Sequence, residues 1–188
     1  MLSASGRYVL VFNGEIYNFR ELRRELDTSV DTDWRSTGDT EVLLRLIELH
    51  GLPAALEQTT GMFALACFDI EQRKLFLARD RVGKKPFYYS LNEHGFVFGS
   101  ELKAIIPHQA VSRRVNPAAV DEFLRRGYIQ APSCIFKDCQ KLLPGNFAVL
   151  DVDAGPGSFR VHTYWDIQKV AEAGIDSRQQ DSYDVEKL

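Results

Sequence analysis

Three cysteines in 188 residues, Cys67, Cys134 and Cys139, form an odd set without paired metal-ligand spacing, so neither a disulfide framework nor a zinc site is indicated. Reduced thiols are expected. Cys67, inside the alternation Phe63-Ala64-Leu65-Ala66-Cys67-Phe68, reads as a buried small hydrophobe rather than a nucleophile. No apolar run approaches the ~20 residues of a membrane helix, and no charged segment leads into an apolar one at the N-terminus. A cytoplasmic protein away from membranes is expected. Basic stripes interleaved with aromatics are also missing, and 23 Lys plus Arg against 26 Asp plus Glu leave a formal charge of -3, so nucleic acid is not an expected partner. No segment repeats.

What is present suffices for one medium domain, or a domain and a linker, with an ordinary apolar fraction of 45%. Tyr8 to Phe12 reads as a buried strand running into a turn at Asn13-Gly14. Asn18 can cap a helix to Asp27, with Phe19, Leu22 and Leu26 on one side and Arg20, Arg23 and Arg24 as its solvated face. Thr37 or Asp39 can cap a second helix whose apolar set ends at Gly51. Strands are expected at Met62–Phe68, Leu75–Ala78, Phe87–Leu91 and Phe96–Gly99, as an antiparallel meander. A short helix at Glu101–Ile106, a helix opened by Pro117 and running to Arg126, and strands at Phe147–Asp151 and Arg160–Tyr164 follow. Gln168 to Leu188 reads as a linker or frayed helix. Helices flanking antiparallel strands indicate an α+β or layered sandwich fold.

Three polar clusters could carry chemistry. In Asn13-Gly14-Glu15-Ile16-Tyr17-Asn18, a glycine lets a backbone N–H approach a ligand and the Asn amide offers a second donor, together enough to hold an oxyanion. An Asn-Gly turn capped by Asn18 accounts for the same residues more simply. In Thr37-Gly38-Asp39-Thr40-Glu41 a carboxylate at a helix start is ordinarily a cap. Were Glu15 and Asp39 to meet, two carboxylates could hold the ammonium of an amino acid. The third cluster, Ala78 to Tyr89, has lysines but not the glycine spacing of a phosphate loop, and reads as a structural turn.

Taken in order, the segments NGEIYN, STGDTEVLL, GMFALACFD, ARDRVGKKPFYY, FGSELKAI, LLPGNF and HTYWD resemble the glutaminase domain of the asparagine synthetase B family, a class II glutamine amidotransferase, from residue 7 to about 166. The resemblance implies a four-layer αββα sandwich of the N-terminal-nucleophile type. It assigns the Asn13 side chain and the Gly14 N–H to an oxyanion hole, and Glu15, Gly38 and Asp39 to binding of L-glutamine. A mature N-terminal cysteine of such families attacks the glutamine amide, and its own α-amine is the base.

No counterpart of that cysteine, or of the arginine that holds the glutamine carboxylate, occurs here, and Met1-Leu2 cannot replace them. The chain is therefore expected to be a partial amidotransferase domain over residues 1–166, incomplete at its N-terminus and inactive alone. Residues 167–188 then lead into an ATP-dependent synthetase domain that needs ATP and Mg2+, with no cofactor in this chain. Ammonia would pass to an activated carboxylate, by default that of aspartate, and a homodimer is left open. Two other readings share the motifs: a glutaminase-like scaffold that has lost its nucleophile, and a glutaminase joined to a sugar-phosphate or phosphoribosyl partner. Uncovered apolar faces should make the isolated chain self-associate.

Overall fold

In the computed structural model, which describes residues 1–29 and 33–175, the alternation from Tyr8 onward becomes strand β1 (Tyr8–Ile16). Its even-numbered side chains turn to one face, where they meet helices α1 (Phe19–Ser29) and α2 (Asp39–Gln58). Leu22 and Leu26 of α1 and Val42, Leu43, Leu46 and Ile47 of α2 bury against that face. The stop expected at Gly51 is a kink: Gly51 takes φ 78° and ψ 162°, and Leu52, Ala55 and Leu56 continue the buried stripe beyond it.

Strand β1 leads an antiparallel five-stranded sheet in the order β1, β2 (Gly61–Asp69), β3 (Lys74–Arg79), β7 (Asn146–Asp151) and β8 (Arg160–Thr163). A second sheet places β4 (Tyr88–Asn92) between β5 (Gly95–Gly99) and the short β6 (Gln140–Lys141). The strands expected to form one meander are thus divided between two sheets, and β6 was not foreseen. The facing surfaces join through Ala64, Ala66, Leu77 and Ala148 on one side and Phe87 and Tyr89 on the other. Behind the second sheet, Ile105 of α3 (Leu102–Ile105), Val111, Cys134 and Cys139 close a third cluster with Tyr88 and Val97. Helix α4 (Pro117–Arg126) has the bounds expected of it, and Gly127, at φ 78°, follows its last turn. The layers run helix, sheet, sheet, helix. Residues 167–175 are helical, and the remainder of the expected C-terminal linker lies outside the described residues.

Two local expectations are corrected. Asn13-Gly14 is not a turn, because both residues remain in β1, opposite Ala64 and Phe63. Asn18 does not cap its own helix through its side chain: the amide donates to the Gln58 carbonyl (2.9 Å) and accepts the Thr60 N–H (2.8 Å), pinning the connection from α2 into β2.

The turn after β3 is built on charge. Asp80, with 0% exposure, accepts the N–H groups of Phe63 (3.2 Å), Val82 (3.2 Å), Lys84 (2.9 Å) and Lys85 (2.9 Å). Arg79 gives its guanidinium to the carbonyls of Lys85 (2.7 Å), Leu142 (2.7 Å) and Gly83 (2.8 Å). Burial pulls its pKa below the ordinary guanidinium value, and the neighbouring Asp80 charge opposes that. The third cluster is therefore a structural turn: the N–H groups that a phosphate would need already bind Asp80. Asp80→Ala strands these buried donors and should cost about 3–5 kcal/mol in urea unfolding, the range for breaking a buried charged network; a loss below about 1 kcal/mol would contradict this role.

The second sheet does not extend over β1, so Val9 and Val11 face outward, Val11 at 61% exposure. Residues Met1–Ser3 cover only the first part of the strand's free edge, through Met1–Leu10 and Ser3–Tyr8 backbone bonds. An apolar stripe beside an open edge favours edge-to-edge pairing. Gel filtration should find concentration-dependent association, reduced by Val11→Lys; a monomer at every concentration would oppose it.

Candidate functional site

The backbone of β1 alternates in what it addresses. Odd-numbered residues bond toward β2, as Arg7 accepting Ile70 N–H and Tyr17 donating to Thr60 O illustrate at its two ends. Even-numbered residues point to the free edge, where Leu10 exchanges bonds with Met1 and the Ile16 N–H donates to Asp39 Oδ2 at 2.8 Å. Gly14 obeys the same rule. Its partner Phe63 spends both backbone groups on Asp80, so Gly14 and Phe63 form a non-hydrogen-bonded pair, and the Gly14 N–H faces the edge just before Asp39.

A glycine is required at this point by proximity. A Cβ on Gly14 would fall on the Met62 carbonyl oxygen and lie 2.6 Å from Phe63 Cα, and one on Gly61 would strike the Glu15 carbonyl oxygen. The two glycines let β1 and β2 close together beside the candidate donors. Asn13 and Glu15 flank Gly14 with their side chains on the opposite face from the helices, both exposed. Neither side chain makes a hydrogen bond to another described residue.

Asp39 reaches this corner from α2. The helix is preceded by Gly38 (φ -85°, ψ 161°), and no side chain caps it, so neither Thr37 nor Asp39 fills the capping role expected of them. Asp39 stands half-buried in the first turn, with Oδ2 on the Ile16 N–H and Oδ1 accepting the Thr40 hydroxyl at 3.2 Å. A carboxylate has about four lone-pair sites, so acceptor capacity remains. Asp39 thus meets the end of β1 at the Ile16 N–H with Gly38 beside it, while the side chains of Asn13 and Glu15 leave the strand on the face away from the helices.

Glu41 was noted only as the end of a cluster, yet it is a buried carboxylate at 8% exposure. It accepts Arg35 N–H (2.9 Å), Ser36 N–H (2.6 Å) and the Ser36 hydroxyl (2.6 Å). Burial alone would raise its pKa, but these donors and the Arg35 charge bring it below the usual carboxylate value. Its place among the apolar positions of α2 was the available signal. Arg23, expected to be merely solvated, holds the Ser36 carbonyl at 3.0 Å and lies 4.4 Å over the Trp34 ring.

The thiols lie elsewhere. Cys67 is in the middle of β2, where burial pushes it up to about 12, and burial with nearby Cys134 and Asp138 pushes Cys139 to about 11. Neither is ionised near neutrality. A cavity of about 590 Å³ between Tyr89, His94, Lys137 and Phe159 belongs to the second sheet. Another of about 300 Å³, lined by Met1, Leu2, Arg35, Ser36 and Glu41, flanks the edge of β1. Neither is lined by Asn13, Gly14, Glu15, Gly38 or Asp39. Gly14→Ala should cost roughly 1–3 kcal/mol, as overpacking does; an unfolding midpoint equal to the parent's would remove the close-approach argument.

The sequence profile described as the glutamine amidotransferase domain matches residues 1–165. Among curated relatives, a putative asparagine synthetase [glutamine-hydrolyzing] 2 of Methanocaldococcus jannaschii is 34% identical over 161 residues, 85% of this chain and 30% of the relative. Asparagine synthetase [glutamine-hydrolyzing] 3 of Bacillus subtilis is 33% identical over 162 residues, 86% of this chain and 25% of that protein. The chain therefore spans under a third of the length of these relatives. Glutamine phosphoribosylpyrophosphate amidotransferase of B. subtilis, solved with ADP and GMP, superposes with a TM-score of 0.58 at 18% identity, over 87% of this chain and 30% of that one. That likeness carries the fold alone, the layered helix–sheet–sheet–helix sandwich.

Proposed function

The chain belongs to the glutamine amidotransferase domain family, and on that premise we propose that the end of β1 is the glutamine-binding part of an ammonia-releasing site. The observation that carries the proposal is the pair of unpartnered side chains, Asn13 and Glu15, flanking an edge-facing Gly14 N–H beside the Asp39 carboxylate. Polar groups that stabilise no packing are available to a ligand.

In this reading Glu15 and Asp39 take the α-ammonium of L-glutamine, with Gly38 leaving room at the helix start. The side-chain amide of the substrate then lies toward Asn13. A thiolate adding to the amide carbon turns its oxygen into an oxyanion, which the Asn13 amide and the Gly14 N–H stabilise in the transition state. Collapse expels ammonia, and water cleaves the thioester to glutamate. The thiol must come from a residue other than Cys67, Cys134 and Cys139, which are buried away from this place. The 188-residue chain is accordingly a substrate-binding and oxyanion-stabilising part, inactive alone.

The whole protein is proposed to be an asparagine synthetase-like ligase of the cytoplasm, in which ammonia reaches an ATP-activated carboxylate, aspartate by default. ATP and Mg2+ do not fit the chain's own residues: the Lys84-Lys85 turn is occupied by Asp80, and no metal-holding cluster of His, Cys, Asp and Glu occurs among the described residues. They belong to a synthetase domain, the proposed partner of residues 1–166, with residues 167–188 as the connection.

An N-terminally extended version that begins with cysteine should release ammonia from glutamine. In it, Asn13→Ala should lower kcat on the order of 10²-fold through loss of one oxyanion donor, while Asp39→Ala should chiefly raise KM. Ammonia release that neither substitution alters would reject the assignment.

A further inference from the structure

Asp39 can serve a ligand at the β1 edge only if the start of α2 is held there, and no capping side chain holds it. Gly38 contributes only its backbone N–H, which donates to Ser36 Oγ at 3.4 Å. That oxygen is free to accept because its own proton goes to Glu41 Oε2 at 2.6 Å, and Oε2 also takes the Ser36 N–H at 2.6 Å. The second oxygen, Oε1, takes the Arg35 N–H at 2.9 Å. One buried carboxylate in the first turn thus reaches back past Gly38 and holds three donors of the preceding segment. This is the work of a capping box displaced outward by the glycine. The Ser36 carbonyl is held from the other side by Arg23 of α1.

We propose that Glu41 is a positioning residue of the glutamine site: through Ser36 and Gly38 it sets the entry of α2, and so the seat of the Asp39 carboxylate on the Ile16 N–H. Glu41 itself touches no substrate. The role in glutamine binding rests on the reading given above, but the mechanical coupling from Glu41 to Ile16 does not. Glu41→Gln keeps the size of the side chain and leaves one acceptor oxygen facing three donors, while its new NH2 group opposes them. The longest link in line is the Gly38 N–H to Ser36 Oγ contact at 3.4 Å, and a shift of the helix start that passes through it is read at the next bond, Asp39 to Ile16 at 2.8 Å.

Native-state amide exchange in the 188-residue chain reads that bond directly. In Glu41→Gln the Ile16 amide should exchange about 10-fold faster or more, with the Cys67 amide in the centre of β2 changed by less than about 3-fold as the reference for global stability. Ser36→Ala, which removes the hydroxyl relay and leaves both backbone donors, should give a smaller acceleration at Ile16 and serves if the first variant does not fold. Asp39→Ala should give the full acceleration. Faster exchange at Arg35 and Ser36 with Ile16 unchanged would overturn the coupling, as would acceleration of Ile16 and Cys67 by the same factor. A readout of the glutamine site itself follows from the extended, cysteine-bearing protein: Glu41→Gln should raise KM by about 5-fold or more with kcat changed far less, as expected for lost positioning. A fall in kcat at unchanged KM would contradict the positioning role. Exchange that behaves as expected in a protein with no affinity for glutamine would leave the coupling standing and remove the substrate reading instead.

Discussion

The buried carboxylate of Asp80 is the constraint on which the arrangement of strands depends. It fixes Phe63 on one side of β2 and three N–H groups of the turn that carries the chain from the first sheet to the second. Because both backbone groups of Phe63 are spent in this way, the strand opposite meets it without ladder bonds, and Gly14 is left to direct its N–H outward. The alternation of the β1–β2 ladder sets that direction, and Asp80 satisfies the Phe63 N–H on the other side of β2. Arg79 extends the same device to the end of β6 through the Leu142 carbonyl, and Tyr164 closes it by donating to the Arg79 carbonyl at 2.9 Å.

An edge strand is an awkward place for polar function, since unpaired N–H and C=O groups invite other strands. Here that exposure is the resource. The ladder toward β2 holds Asn13, Gly14 and Glu15 in extended backbone, while the free side offers one donor beside one carboxylate. Asp39 ties α2 to β1 through the Ile16 N–H, and its other oxygen takes the Thr40 hydroxyl. A substitution at Asp39 disturbs the frame together with any ligand contact, whereas in the proposed coupling one at Glu41 reaches the frame alone.

Much of this could be read in the sequence wherever the signals were local. Pro117 marks the start of α4 because proline suits a first helical turn. Gly51 announced an interruption correctly, but its outcome, a kink, depends on Leu52 and Leu56 finding the same apolar cluster. Asn13-Gly14 misled because its local preference for a turn is overridden by β2, a strand far along the chain whose approach no short window contains. The division of the expected meander between two sheets has the same origin. Family resemblance named Asn13, Gly14, Glu15, Gly38 and Asp39 as a group, and the contact that joins the two segments is the Ile16 N–H on Asp39. Glu41, Ser36 and Arg23 were missed because hydrogen bonds to a loop leave no periodic trace.

The central claim is that the last residues of β1 and the first of α2 form one surface for L-glutamine. Titrating the isotopically labelled chain with L-glutamine while following its amide resonances tests this most directly. Saturable shifts at Gly14, Glu15, Ile16 and Asp39, absent with D-glutamine, are the expected result. Shifts confined to the cavity beside Tyr89 and His94, or none that saturate at the β1 edge, would contradict it.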